Sequence, residues 1–171
     1  MLNVAIIGTG NISPAHINAY LKFPERCRIV ALVDIIPEKA RDKNEKFSLN
    51  AEVYDSHKHI VDREDIDLVS ICTPPYTHAS IAIDFLNNNK HVIVEKPMAS
   101  SLEECDAILE AAKTHNKVLS VIAQNRFKNP VYKLKRILEF DKLGRVLHAQ
   151  VDSLWWRGYV YYDLWWRGSW E

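Results

Sequence analysis

Four groups of residues in this chain could do chemistry, and each comes directly after a short apolar run. Gly8-Thr9-Gly10-Asn11-Ile12 follows residues 4–7, Asp34 follows 28–33, Thr73-Pro74 follows the run that closes at Cys72, and Glu95-Lys96 follows 91–94. Glycines between a strand and a helix let the backbone come close to a phosphate. The helix start behind them supplies free N–H donors and a partial positive charge. Ser13 and Pro14 read as the cap and first position of that helix. The third glycine of a G-x-G-x-x-G turn is replaced by Ser13, so the turn taken alone also fits a strand-to-helix connection with no ligand.

Asp34 stands 24 positions after Gly10, near the offset of an acid that hydrogen-bonds the ribose diol of a dinucleotide. A carboxylate there repels a 2′-phosphate, and Ile35 and Ile36 offer no cation to attract one. NAD is therefore favoured over NADP as the cofactor. A strand-end Asp also caps turns without any ligand. Lys96 is the candidate for proton transfer. Pro97 disfavours helical geometry at the residue before it, which holds Lys96 extended at its strand end. A lysine works as general acid or base where its surroundings favour the neutral amine. Partial desolvation and a cationic oxidised nicotinamide both act in that direction. Glu95 would act against them, so its carboxylate is expected to point elsewhere. The alternative is a solvated charge pair. His16 and His78 each sit near the start of a helix and are expected to pack behind the glycine turn and behind Thr73-Pro74. The other histidines have no metal-ligand spacing, and no serine or cysteine has the setting of a nucleophile.

These residues need a scaffold that brings strand ends together. Helices are expected over 14–22, 37–47 and 57–61, then over a stretch with Ile81, Ala82, Phe85 and Leu86 at helical spacing that Asn87-Asn88-Asn89 closes. Ser101 and Glu104 have the spacing of a capping box for a further helix. Short apolar runs at 53–54, 67–72 and 118–123 complete the strands. Continuous rather than alternating apolar strands, separated by helices, mark a parallel sheet covered on both faces. The fold class over residues 1–123 is doubly wound α/β, with the polar groups gathered beyond the carboxyl ends of the strands, where such sheets bind ligands. From residue 124 to 171 the pattern changes to an amphipathic helix with Val131, Leu134, Ile137 and Leu138 and a long strand expected over 145–156. This reads as the beginning of a second, α+β domain.

Composition narrows the function classes. The 22 basic and 22 acidic residues balance without a basic stripe, which argues against nucleic acid, and no apolar run is long enough for a membrane span. Met1 leads straight into the first strand, so no leader peptide is expected. Cys27, Cys72 and Cys105 are odd in number and widely spaced, which suits buried thiols in a reducing compartment, and the cytoplasm is the expected location. All five Trp fall between Trp155 and Trp170, and Leu-Trp-Trp-Arg-Gly occurs twice, at 154–158 and 164–168. So much aromatic surface is expected to find a partner.

Taken together, Gly8-Thr9-Gly10-Asn11-Ile12 with His16, Cys72-Thr73-Pro74 with His78, Glu95-Lys96-Pro97 and Gln124-Asn125-Arg126-Phe127 resemble the Gfo/Idh/MocA family of sugar and inositol dehydrogenases. The resemblance implies a Rossmann domain that binds NAD through Gly8, Thr9, Gly10, Asn11, Ile12 and Asp34. It places Thr73, Pro74, Glu95 and Gln124 along the nicotinamide half of the site, with Cys72 and His78 also among the cofactor residues. Lys96 would assist proton transfer at a hydroxyl of a small polyol or sugar. Trp166 and Arg167 match positions that reach back to the cofactor, and the second domain would carry homo-oligomer contacts. In the family a glycine-rich segment and a His-and-Asp motif follow, and neither is present in these 171 residues. Two functional classes are thus implied: a dehydrogenase, or a nucleotide-binding module or fragment without turnover.

Overall fold

The computed structural model describes residues 1–163 and 167. The chain divides into two compact units, Met1–Ile122 and Ala123–Glu171. The first unit is a six-stranded sheet of β1 (Leu2–Ile7), β2 (Cys27–Val33), β3 (Glu52–Tyr54), β4 (Leu68–Ile71), β5 (His91–Val94) and β6 (Leu119–Val121). Every pairing is parallel, and the strand order is β3-β2-β1-β4-β5-β6. Four helices connect the strands: α1 (Ser13–Leu21), α2 (Pro37–Phe47), α3 (His78–Asn87) and α4 (Leu102–Thr114). A short 3₁₀ turn, His57–His59, stands where a longer helix to residue 61 is expected. The order reverses between β1 and β4, and a doubly wound sheet opens a crevice at that point.

Burial on both faces explains the continuous apolar strands. In β1, Val4 to Ile7 are at most 2% exposed. Successive side chains of a strand point to opposite faces. Ala5 and Ile7 accordingly join Val69, Ile71, Phe85, Leu86 and Ile108 under α3 and α4, while Val4 and Ile6 join Ile17, Leu32 and Ala40 under α1 and α2. Removing a fully buried side chain such as Phe85 from a core of this kind costs about 3–5 kcal/mol.

Helix ends follow local chemistry, with two departures from expectation. Ser13 is not the cap of α1. Ile12 holds that place, and Ser13 is the first helical residue, its hydroxyl donating back to the Gly10 carbonyl at 2.9 Å. Its Oγ is therefore committed to the turn and leaves the helical N–H groups alone. In α4 the Glu104 N–H donates to Ser101 Oγ at 3.2 Å as expected, but the Glu104 carboxylate accepts from Ser100 N–H, one residue before the cap. Asn89 takes the left-handed conformation (φ 62°) after α3, and Lys90 N–H closes the turn onto Phe85 O at 2.9 Å.

The second unit contains a short turn at Gln124–Phe127, helix α5 (Asn129–Glu139) and a single helical turn, α6 (Tyr159–Tyr162). The strand expected over residues 145–156 is absent. A strand needs a neighbour for its N–H and C=O groups, and among the described residues of this unit there is none. The second copy of Leu-Trp-Trp-Arg-Gly, apart from Arg167, lies outside the described residues.

One glycine is fixed by space. Gly8 has φ +88°, and a Cβ there would lie 2.9 Å from the carbonyl carbon and oxygen of Cys72, whereas a Cβ on Gly10 would meet nothing within 4 Å. Gly8→Ala is expected to destabilise the fold by about 3 kcal/mol, combining left-handed strain with a backbone clash. Gly10→Ala should stay within about 0.5 kcal/mol. Urea unfolding midpoints of the two variants test the contrast.

Candidate functional site

The carboxyl ends of β1, β2, β4 and β5 bring the first-unit candidates to one edge of the sheet. Gly8 N–H donates to Val33 O at 2.7 Å, which joins the ends of β1 and β2. Cys72 N–H donates to Ile7 O at 2.7 Å, and Glu95 N–H to Ile71 O at 3.0 Å, joining β1 to β4 and β4 to β5. Because Gly8 has no side chain, its backbone lies directly against the Cys72-Thr73 peptide.

Thr9 and Asp34 form a clasp across the first two of these ends. The Thr9 N–H and hydroxyl both donate to Asp34 Oδ2, at 2.8 and 2.9 Å, and Ile36 N–H donates to Oδ1 at 3.0 Å. Thr9 is 1% exposed. A carboxylate oxygen can accept two hydrogen bonds. Oδ2 is thus filled from within the chain, and Oδ1 keeps capacity for one further donor. Between the clasp and α1, the N–H groups of Gly10, Asn11 and Ile12 donate to no acceptor among the described residues. Three consecutive free donors at the start of a nine-residue helix suit a diphosphate group, and Gly10 leaves the space before them open.

The loops after β4 and β5 are held together from behind. His78, 1% exposed, places Nδ1 2.8 Å from Pro97 O and Nε2 2.8 Å from Thr73 O. Its ring lies between the two loops, in the packing place expected of it behind Thr73-Pro74. Thr77 Oγ1 lies 2.7 Å from Thr73 Oγ1 and 2.8 Å from Pro74 O, shaping the Thr73-Pro74 turn. Lys96 is exposed, its peptide bond to Pro97 is cis, and its ammonium has no carboxylate partner among the described residues. Glu95 is 7% exposed and turns inward, with Oε1 3.1 Å from His16 Nε2 and Oε2 accepting the Lys96 backbone N–H at 3.2 Å.

One residue of this arrangement, Ser70, is not among those the sequence singles out. Ser70 is fully buried in the middle of β4, with its Oγ 2.7 Å from His16 Nδ1. The available signal was a hydroxyl inside an otherwise apolar strand. Gln124 and Arg167 belong to the second unit. Gln124 opens its 3₁₀ turn, and the Arg167 guanidinium lies 3.8 Å from the centre of the Tyr161 ring. Trp166 lies outside the described residues. No group of three His, Cys, Asp or Glu able to hold a metal ion, and no helix long and apolar enough to cross a membrane, is found among the described residues.

A glycine turn with free donors, an acid at the next strand end and a 3-2-1-4-5-6 sheet define a dinucleotide-binding α/β domain. The model of the oxidoreductase family with an NAD-binding Rossmann fold, Gfo/Idh/MocA, matches residues 2–123, and the chain belongs to that family. An inositol 2-dehydrogenase of Burkholderia cenocepacia is 33% identical over 147 residues, which cover 85% of this chain and 44% of the relative. Levoglucosan dehydrogenase in complex with NADH superposes with a TM-score of 0.79 at 33% identity, covering 85% of this chain and 41% of that one. The WlbA dehydrogenase of Bordetella pertussis, in complex with NADH and UDP-GlcNAcA, does so with a TM-score of 0.79 at 26% identity, covering 84% and 43%. The chain thus spans less than half the length of these relatives.

The three cysteines are free thiols. Burial pushes the Cys72 thiol up from its ordinary 9.0 to about 12, and the nearby Glu95 carboxylate adds to the shift. The unfolded chain gives up this proton near 9.0 while the folded chain keeps it to about 12, so Cys72 removes stability as pH rises between those values. Denaturation midpoints across that window should fall with pH in the wild type and less steeply in Cys72→Ala. At neutral pH an alkylating reagent should label the partly exposed Cys27 and Cys105 ahead of Cys72, as peptide mass analysis would show.

Proposed function

We propose that this chain is the nucleotide-binding part of an NAD-dependent dehydrogenase acting on a secondary alcohol of a sugar, a cyclitol or a nucleotide-sugar. The observation that carries the reading is one sheet edge holding three free N–H donors, an acid with spare acceptor capacity and a lysine without a carboxylate partner. Inositol 2-dehydrogenase, levoglucosan dehydrogenase and the WlbA dehydrogenase among the relatives support the range of substrates.

Bound NAD would supply the hydride acceptor. The N–H groups of Gly10, Asn11 and Ile12 hold its diphosphate, with the α1 dipole adding positive potential. Asp34 Oδ1 accepts a hydrogen bond from the adenosine ribose and repels a 2′-phosphate. Thr73 and Pro74 flank the nicotinamide half. Lys96 Nζ, as the neutral amine, would take the proton of the substrate hydroxyl. Three free thiols suit a reducing compartment, and the reading places the protein in the cytoplasm, self-associating through its second domain. A binding module without turnover is the second reading, since the same cradle of free N–H donors and Asp34 serves NAD binding with no role for Lys96.

Calorimetry should find NAD bound about 100-fold more tightly than NADP, the discrimination expected when a like charge faces the extra phosphate. Equal affinities overturn the role of Asp34. In a form carrying a complete substrate domain, NADH absorbance should rise with added polyol or sugar. Lys96→Met should lower that turnover by about 10²–10⁴-fold, with NAD affinity changed less than about 2-fold. Undiminished turnover overturns the role of Lys96. NAD binding with no alcohol-dependent NADH in that form establishes the module instead.

A further inference from the structure

A row of polar side chains runs beneath the glycine turn, inside the packing that the sheet otherwise makes from apolar residues. Ser70 is fully buried between Val69 and Ile71, His16 in the first turns of α1 is 8% exposed, and Glu95 at the end of β5 is 7% exposed. His16 bridges the other two, with Nδ1 2.7 Å from Ser70 Oγ and Nε2 3.1 Å from Glu95 Oε1. Glu95 assigns one of the protons. A carboxylate oxygen only accepts, so Nε2 carries the hydrogen that faces Glu95, while the Ser70 hydroxyl, able to donate or accept, completes the hydrogen bonding at Nδ1. The row then leaves the interior through Glu95 Oε2, which accepts the Lys96 backbone N–H at 3.2 Å.

Stability alone does not call for this row. Burying polar and charged groups costs desolvation, and apolar side chains of similar volume often serve the fold as well or better. What the row provides is geometry. Glu95 is the residue next to Lys96 and, with its carboxylate free, would be a natural partner for the Lys96 ammonium. Drawn inward to His16, the carboxylate grips the lysine backbone and leaves the ammonium without a partner among the described residues. The same histidine sits on the helix that begins at the free N–H donors, so the cradle and the lysine loop share one buried support.

We propose that His16, braced by Ser70, is a positioning residue for Lys96: it holds Glu95 in the one orientation that fixes the Lys96 backbone and keeps the carboxylate off the ammonium. The functional meaning rests on the proton-transfer reading of Lys96, but the geometry is measurable without turnover. Solvent exchange of backbone amides, followed by NMR on the full chain, reads the Glu95–Lys96 contact directly. In His16→Phe the Lys96 amide should exchange about tenfold faster, the factor for losing one charge-assisted hydrogen bond, while β4 and β5 amides change less than about twofold. His16→Gln keeps an N–H donor toward Glu95 and should restore the Lys96 rate to within about twofold of wild type. Ser70→Ala removes only the brace and should give an increase of about threefold.

An unchanged Lys96 rate in His16→Phe overturns the proposal, as does an equal acceleration throughout β4 and β5 or a failure of His16→Gln to rescue. If His16→Phe does not fold, Ser70→Ala decides, and an unchanged Lys96 rate there overturns it. Faster Lys96 exchange in His16→Phe, found together with undiminished turnover in Lys96→Met, supports the brace and overturns the proton-transfer reading, so the two claims fail separately.

Discussion

Everything at the working edge of this molecule depends on the approach of the Gly8 backbone to the Cys72-Thr73 peptide. A side chain at Gly8 would sit 2.9 Å from the Cys72 carbonyl, closer than packed atoms allow. Only with that space empty can the turn after β1 lie across the end of β4, where the strand order reverses. The N–H groups of Gly10, Asn11 and Ile12 then stay without an acceptor among the described residues, and Thr9 reaches the end of β2 to clasp Asp34.

Around that contact the structure separates two kinds of support. Apolar strands covered by helices on both faces supply the cohesion, as Val4 to Ile7 and Phe85 show. Polar groups buried among them supply orientation. His78 ties the loops after β4 and β5 through the Thr73 and Pro97 carbonyls, and His16 ties α1 to Ser70 and Glu95. Hydrogen bonds between buried groups are directional in a way that apolar contacts are not. They fix the loops that carry Thr73 and Lys96 where packing alone would leave several arrangements open.

Much of the sheet was legible from residues 1–123, because a strand buried on both faces leaves a plain mark: a short apolar run ended by a glycine, an acid or a proline. The strand ends at Gly8, Asp34, Cys72 and Glu95 were readable for that reason. The cap of α1 was not, because a serine hydroxyl can cap a helix or donate to a preceding carbonyl, and Ser13 does the second with Gly10. The strand expected over 145–156 failed for a different cause. Its apolar residues follow a strand pattern, but pairing is a property of two segments, and the described part of the second unit supplies only one.

Local backbone and burial preferences set the succession of strands and helices over residues 1–123, the glycine at the tight turn and the polar residues at each strand end. Tertiary structure alone decided which of those residues face a ligand and which face the interior. Glu95 and Lys96 are neighbours in the chain, yet one turns inward to His16 and the other outward to the rim. His78 turns both ring nitrogens to carbonyls of the loops after β4 and β5. The physical reason is the same in each case. A side chain's partner is set by what the fold brings within 3 Å or so of it, and His16, Ser70 and Glu95 come from three segments that meet only when the sheet is assembled.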